Sequence, residues 1–129
     1  MVKLQQLLDN GYEFFTGVPD SGLKPFIDEI INSEVKHVIA TNEGQAIGIA
    51  VGAELAGKKS CVYLQNSGLG NVINPLTSLC IPHNINPFLV IGHRHTLPQH
   101  KVMGEVDEKL LKLIGYSNYA IVCGDNNEK

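Results

Sequence analysis

The sequence lacks the features that mark several classes of protein. No apolar run is long enough to cross a membrane, and the N-terminus, MVKLQQLLDNG, is amphipathic and unlike a signal peptide. The 10 Lys and Arg residues form no basic stripe, and the net charge is -3, which argues against nucleic acid or an anionic membrane as partner. There are no internal repeats or low-complexity segments. We therefore expect a cytoplasmic globular protein.

Cysteine is scarce, and its spacing fits no disulfide framework or metal motif. The three residues Cys61, Cys80 and Cys123 are far apart, and none belongs to a CxxC pair. An odd number argues against a set of disulfides. We interpret them as reduced core residues of a cytoplasmic protein, the alternative being a reactive or metal-binding thiol.

Apolar runs and helical patterns alternate along the whole chain. The 129 residues are expected to form one domain over 1–129. Strands are predicted at 12–16, 35–40, 60–65, 87–92 and 119–123, and those at 35–40 and 60–65 are expected to be buried. Helices are predicted at 2–9, 22–32, 43–56, 68–80 and 106–114, with a kink or restart at Pro75, and 125–129 looks like the opening of another helix. This alternation predicts an α/β fold, a three-layer α/β/α arrangement around a mostly parallel sheet.

Polar side chains stand at the corners that follow the predicted strands, where open α/β sheets bind ligands. Glu43 begins a helix, where an acid also simply complements the helix dipole. The small residues that follow it would let a ligand or another chain approach closely.

The turn Gln65-Asn66-Ser67-Gly68 could cap a helix or present donors to a ligand. It is not a P-loop, because Lys-Ser/Thr is missing after the glycines.

Two further corners carry charged side chains. Asp20 and Ser21 could cap the second helix. His93, Arg94, His95 and the nearby His100 could form a solvated loop. No carboxylate or cysteine joins these histidines at metal-ligand spacing, so no metal site is predicted. Arg94 is the better ligand candidate, because a guanidinium matches carboxylate, phosphonate and sulfonate geometry.

The corners together resemble a known family. The pattern GVPDS–NEGxAIGxAxG–QNSGLGNxINPLTSL is similar to the pyrimidine-binding (PYR) domain of thiamine-diphosphate-dependent 2-oxoacid decarboxylases. Phosphonopyruvate decarboxylases and the alpha subunits of sulfopyruvate decarboxylases look nearest. The resemblance covers about residues 17–115 and implies a thiamine-diphosphate-binding fold. It also implies a lyase, a carboxy-lyase that decarboxylates 3-phosphonopyruvate or 3-sulfopyruvate.

The resemblance assigns roles position by position. Glu43 resembles the glutamate that protonates the pyrimidine ring of the cofactor, and Asp20 resembles an acid that assists proton transfer near the substrate. The residues that resemble the turn against the pyrimidine are Gln65, Asn66, Ser67 and Gly68. The candidates for binding the substrate anion are Arg94, His93 and His100. Here His93 replaces an expected aromatic residue, and the loop from Arg94 to His100 is shorter than in single-chain relatives.

One part of the family pattern is missing. The GDG motif of the domain that binds the diphosphate and Mg²⁺ appears nowhere. The resemblance therefore implies a hetero-oligomer in which a partner subunit holds Mg²⁺. The family domain has six strands and the sequence shows five, so we expect a domain that lacks its last helix and strand or takes a strand from elsewhere. The alternative is a truncated or non-catalytic domain that acts as an assembly module; a flavodoxin-like phosphate-binding module is disfavoured by the missing phosphate loop.

Overall fold

The structure is a computed structural model that describes residues 1–123. The strands are β1 (Tyr12–Gly17), β2 (Lys36–Ile39), β3 (Lys59–Gln65), β4 (Phe88–His93) and β5 (Tyr119–Cys123). The helices are α1 (Leu4–Asp9), α2 (Lys24–Ile31), α3 (Glu43–Leu55), α4 (Ile73–Pro75), α5 (Ile81–His83) and α6 (Pro98–Ile114). The predicted helix opening at 125–129 lies outside the described residues.

The strands of the described chain form one parallel sheet, ordered β2-β1-β3-β4-β5. Buried side chains of α1 and α2 pack on one face. Those of α3, α6 and the helical segment between β3 and β4 pack on the other. The predicted three-layer α/β/α fold is confirmed. Because parallel strands all point the same way, the corners after β1, β2, β3 and β4 lie at one edge of the sheet.

Strand β2 differs from its prediction as a buried strand. It lies at the margin of the sheet with β1 as its neighbour, and Val38 and Ile39 are 42% and 58% exposed. An apolar run shows that a strand is favoured, but its burial depends on the order of strands in the sheet. That order is set by tertiary packing, which the local sequence does not contain.

The chain between β3 and β4 is mostly helical over residues 66–83 but changes its winding. A 3₁₀ helix, Asn66–Asn71, leads into α4, and a π-helix, Leu76–Cys80, leads into α5. The predicted start at Gly68 is therefore two residues late, and the helix continues past Cys80. The expected break at Pro75 is present as the change from α to π winding. This is a place where proline removes the usual hydrogen bond.

Helix α6 begins eight residues before its predicted start at Val106. Its first residue is Pro98, and proline is well suited to that position because its fixed φ fits the helix and its missing N–H would be unpaired there. The helix ends at Gly115, which has a φ of 77°, as predicted. The early start places His100 on a helix, whereas the sequence suggested a loop.

The cysteines are only partly where they were predicted. Cys61 and Cys80 are buried and free, but Cys123 is free and exposed. Burial raises the pKa of the Cys61 thiol, and burial followed by the charge of Glu54 raises the pKa of Cys80 to about 11. Both core thiols are therefore protonated at neutral pH. None of the helices in residues 1–123 has the length and apolar content that a membrane crossing needs.

A buried tyrosine reaches across the sheet to a histidine. The Tyr63 hydroxyl of β3 lies 2.6 Å from Nε2 of His37 in β2, and Tyr63 is fully buried. Gly17 of β1 pairs with Tyr63, and any Cβ at Gly17 would overlap the Tyr63 ring and carbonyl oxygen. Glycine at this position thus lets the ring cross β1. Burial, then the neighbouring Cys61, raises the pKa of Tyr63 to about 12, and burial lowers the pKa of His37.

Candidate functional site

Contacts at the carboxyl edge of the sheet join the predicted site residues into two clusters. Glu43 contacts the 3₁₀ helix through Gly68 and Asn71. At the ends of β3 and β4, hydrogen bonds link Asn66 to the Arg94 backbone and Arg94 to Asp20. The 3₁₀ helix holds residues of both clusters, so the corners after β1, β2, β3 and β4 meet as predicted.

Glu43 is half-buried at the first position of α3. The helix starts here because the side chain of Asn42 accepts a hydrogen bond from the Gln45 backbone N–H at 2.9 Å, an N-cap. The Glu43 carboxylate turns toward the 3₁₀ helix, where its Oε2 accepts from Nδ2 of Asn71 at 3.0 Å. One carboxylate oxygen is thus held by Asn71, and Oε1 lies beside Gly68.

Gly68 is required by this arrangement. A Cβ at position 68 would overlap Cγ, Cδ and Oε1 of Glu43. Gly68 is buried, whereas the neighbouring Ser67 is exposed. The glycine therefore lets the backbone of the 3₁₀ helix lie directly against the carboxyl group. A larger residue would push Glu43 away from its place between α3 and this turn.

Asp20 and Arg94 form a buried ion pair. Oδ1 of Asp20 accepts from Nε and Nη2 of Arg94 at 3.2 and 3.1 Å, and the Asp20 and Arg94 side chains are 3% and 16% exposed. The guanidinium also donates to the Ser21 hydroxyl. Oδ2 of Asp20 is buried without a hydrogen-bond partner and lies against Gly92, where a Cβ would overlap it. Asp20 makes no side-chain cap to the following 3₁₀ turn, so its capping interpretation is not supported.

Asn66 is fully buried and does not cap the 3₁₀ helix. Its Nδ2 donates to the Arg94 carbonyl at 2.8 Å and to Oδ2 of Asp107 at 3.1 Å. Its Oδ1 is buried and has no hydrogen-bond partner. A buried polar atom without a partner costs about 1–3 kcal/mol, so this oxygen lacks a donor that the described residues could have supplied.

The remaining predicted residues line the same edge. His93, at the end of β4, contacts Oδ2 of Asp107 through Nδ1 at 2.5 Å and stacks on His95 with ring centroids 4.9 Å apart. Gln65 is half-buried, and its Nε2 lies 3.4 Å from Nδ1 of His100. The corner therefore contacts α6 through His93, while His95 is exposed as expected for a solvated loop.

Asp107 and Asn71 belong to the site but were not predicted. Asp107 is 4% exposed on α6, on the same face as the buried Leu111 four residues later. That spacing would have identified an inward-facing acid, had the helix been extended back to Pro98. Asn71 follows the glycines of the predicted turn, and nothing in its local pattern distinguishes it from a surface residue.

Within residues 1–123, the predicted site coincides with neither a candidate metal cluster nor the groove at the other edge of the sheet. Among residues 1–123, no group of three or more His, Cys, Asp or Glu side chains is placed to bind a metal ion. A groove of about 770 Å³ opens at the opposite, amino edge of the sheet, next to Tyr12, Lys59 and Asn118. None of the predicted site residues lines that groove.

Comparison with known proteins identifies the family. The family "Thiamine pyrophosphate enzyme, N-terminal TPP binding domain" matches residues 3–111. The chain is 36% identical over 114 residues to the sulfopyruvate decarboxylase subunit alpha of Methanococcus maripaludis, covering 84% of this chain and 68% of that protein. For the same subunit of Methanocaldococcus jannaschii the identity is 40% over 120 residues, with 88% and 70% covered.

Another relative is much longer than this chain. The phosphonopyruvate decarboxylase of Streptomyces viridochromogenes is 39% identical over 109 residues, which are 80% of this chain but 28% of that protein. The predicted kinship with both groups of decarboxylases is confirmed. With a family match over most of its length and relatives 36–40% identical, the chain belongs to the family of N-terminal TPP binding domains of thiamine pyrophosphate enzymes.

Proposed function

We propose that this chain is the pyrimidine-binding half of a thiamine-diphosphate-dependent carboxy-lyase whose substrate is a short 2-oxoacid with a second anionic group. The observation that carries the proposal is the Glu43 carboxyl group, fixed by Asn71 and lying against Gly68 at the carboxyl edge of the sheet. The names of the relatives supply the substrate class, 3-sulfopyruvate or 3-phosphonopyruvate.

The residues present fit an aminopyrimidine ring. Such a ring offers both hydrogen-bond donors and acceptors, and the site offers a carboxyl oxygen of Glu43 and the unpartnered Oδ1 of Asn66. Gly68 removes the side chain that would fill the space beside Glu43. When bound, thiamine diphosphate supplies the electron sink that decarboxylation needs. In this proposal Glu43 holds a proton at a ring nitrogen, while Gln65, Ser67 and Gly68 form the surface under the ring.

Arg94 and the histidines of the β4 corner form the proposed substrate side. Arg94 is always charged, and Asp20 holds its guanidinium by Nε and Nη2. A fixed guanidinium can bind a sulfonate or phosphonate with little loss of side-chain entropy. His93 and His100 lie at the same edge, and Asp20 is proposed to assist proton transfer near the substrate.

A partner subunit is proposed to complete the site. Two of the relatives are named as alpha subunits, and this chain matches 28% of a phosphonopyruvate decarboxylase. The described residues contain no candidate metal cluster, so the partner is proposed to carry Mg²⁺ and the diphosphate of the cofactor. The exposed surface around Glu43 at the start of α3 would face it.

Co-expression with the product of a neighbouring reading frame tests this function. The purified assembly should bind thiamine diphosphate in the presence of Mg²⁺ and release CO₂ from 3-sulfopyruvate or 3-phosphonopyruvate, whereas this chain alone should do neither. Glu43→Gln in the assembly should retain the complex but lose CO₂ release. An assembly that forms without binding the cofactor would instead support a non-catalytic role and would overturn the proposal.

A further inference from the structure

The buried carboxylate of Asp107 in α6 contacts only one of the two nitrogens of the His93 imidazole. Oδ2 of Asp107 lies 2.5 Å from Nδ1 of His93, and the Asp107 side chain is 6% exposed. A carboxylate accepts hydrogen bonds and donates none. The proton of this bond therefore belongs to Nδ1, and the nitrogen that remains for a ligand is Nε2.

The surroundings of Asp107 support the assignment of the proton to Nδ1 of His93. Its Oδ2 also accepts from Nδ2 of Asn66 at 3.1 Å, and its Oδ1 accepts from the Glu108 backbone N–H at 2.7 Å. A buried carboxylate is costly unless it is satisfied, and these donors satisfy it as the ionised form. Since both oxygens already accept, rotating the carboxyl group cannot offer His93 a donor. The Nδ1–H form of the imidazole is the one that this pocket accommodates.

The arrangement is retained although it leaves another atom unpaired. Nδ2 of Asn66 bridges Asp107 and the Arg94 carbonyl, and this orientation leaves Oδ1 of Asn66 buried without a partner. A purely structural anchor for α6 could be built from apolar side chains at less cost. The side chain of His93 retains 17% exposure, so its outer part can still meet a ligand.

We infer that Asp107 is a positioning residue that fixes His93 as the Nδ1–H tautomer and thereby makes Nε2 of His93 the proton acceptor on the substrate side of the site. The inference rests on the proposed function for its catalytic part. The same logic operates when a buried carboxylate orients a catalytic histidine or a metal-bound one. Asp107 itself touches no substrate in this scheme.

Nitrogen-15 NMR of the chain with labelled histidine tests the tautomer directly and needs no activity. At a pH where His93 is neutral, its Nδ1 should have the chemical shift of a protonated nitrogen and Nε2 that of an unprotonated one. Asp107→Leu should change this pattern, because leucine removes the carboxylate oxygen that accepts from Nδ1, and a neutral imidazole without that acceptor no longer favours a proton on Nδ1. The control is Glu105→Gln, an exposed acid on the same helix. A protonated Nε2 in the unaltered chain, or the same pattern in Asp107→Leu, would overturn the inference.

Turnover by the assembled enzyme tests whether Asp107 acts in catalysis through His93. Asp107→Leu should lower kcat about tenfold to hundredfold, the range for a buried group that orients a histidine, with little change in KM. The background variant His93→Asn keeps a donor for Asp107 but has no Nε2. In this background the same substitution at Asp107 should change kcat less than about twofold, because residues that act as one unit do not have additive effects. Additive losses would overturn the positioning role. An inactive unaltered assembly would refute the proposed function, whereas the tautomer would still be decided by NMR.

Discussion

The carboxyl group of Glu43 lies so close to the Cα of Gly68 that no other residue fits at position 68 without moving it. Glu43 begins α3 after β2, and Gly68 belongs to the 3₁₀ helix after β3. Two turns that are 25 residues apart in the chain thus form one surface. The proposed cofactor site depends on this contact, because it sets the position of the acid relative to the turn.

Gly68→Ala should displace Glu43 and weaken binding of thiamine diphosphate by the assembled enzyme. The methyl group would overlap the end of the Glu43 side chain, which is half-buried and can turn away, so the main effect should be on the position of the carboxyl group and only a smaller one on the free energy of unfolding. Gly70→Ala is the matched control, because a Cβ there meets nothing within 4 Å. Calorimetric titration with the cofactor and urea unfolding would measure both effects. Equal cofactor affinity in the two variants would contradict the arrangement.

Glu43→Gln should leave the fold intact and prevent activation of the cofactor. Glutamine keeps an oxygen to accept from Asn71 but has no acidic proton, so the free energy of unfolding should change by less than about 0.5 kcal/mol. The measurement is exchange of the C2 hydrogen of the bound cofactor for deuterium in the assembly. Glu54→Gln, at the other end of α3, is the control and should exchange normally. Unchanged exchange in Glu43→Gln would refute the role of Glu43.

Asp20→Asn should destabilise the chain by about 3 kcal/mol, because it leaves the largely buried guanidinium of Arg94 without its counter-charge. Adding Arg94→Gln should recover part of the loss, so the two substitutions together should cost less than their sum. Asp28→Asn, which breaks the exposed pair with Lys24, is the control and should cost less than about 1 kcal/mol. Urea unfolding at neutral pH compares them. Strictly additive losses would show that the pair is not coupled.

Tyr63→Phe should reduce the dependence of stability on alkaline pH. Tyrosine in an unfolded chain loses its proton near pH 10, whereas burial raises the pKa of Tyr63 to about 12 in the folded protein. The stabilisation from this group is therefore complete below about pH 10 and is lost as the pH rises through about 12. Urea unfolding between these values should show a smaller decline for Tyr63→Phe than for the unaltered chain. Parallel declines would contradict the shifted pKa.

Loss of the Tyr63 hydroxyl should also leave His37 without its partner, at a cost of about 1 kcal/mol at neutral pH. The control is Tyr119→Phe, whose hydroxyl makes an exposed contact with Glu108 at 3.2 Å. The expected cost for that substitution is smaller, because water can replace the contact. A larger loss of stability in Tyr119→Phe than in Tyr63→Phe would show that the contact between Tyr63 of β3 and His37 of β2 does not stabilise the fold.

The alternating pattern was enough to predict the layers of the fold, because each apolar run needs cover on both faces of a parallel sheet. The pattern did not predict how little of the outermost strand, β2, is buried, as the exposed Ile39 shows. The start of α6 was missed because Gln99, His100 and Lys101 read as a polar loop, although Pro98 is a good first residue of a helix. A break at Pro75 was predictable from the proline itself, but the 3₁₀ and π windings of this segment were not, because they depend on packing against α3 and the sheet.

The site was predictable where its residues follow strands, as Glu43, Asn66 and Arg94 do. The residues that form hydrogen bonds with these side chains were harder to predict. Asp107 stands in the charged run Glu105–Lys109, which resembles a solvated helix face, and the contact of His37 with Tyr63 joins strands that are not neighbours. Contacts between residues distant in sequence are products of the tertiary fold, and the sequence shows only the side chains that are able to make them.

The position of β2 has a practical consequence for handling this protein. Its outer side carries backbone hydrogen-bonding groups that no other described strand pairs, next to the exposed Val38 and Ile39, and such a margin recruits extended peptides from other molecules. Samples kept concentrated without a companion should therefore lose material to precipitation over time. A lysine in place of Ile39 would be the first change to try in preparing the chain for crystallisation, since charge at that margin discourages strand addition while leaving Glu43 four residues away untouched.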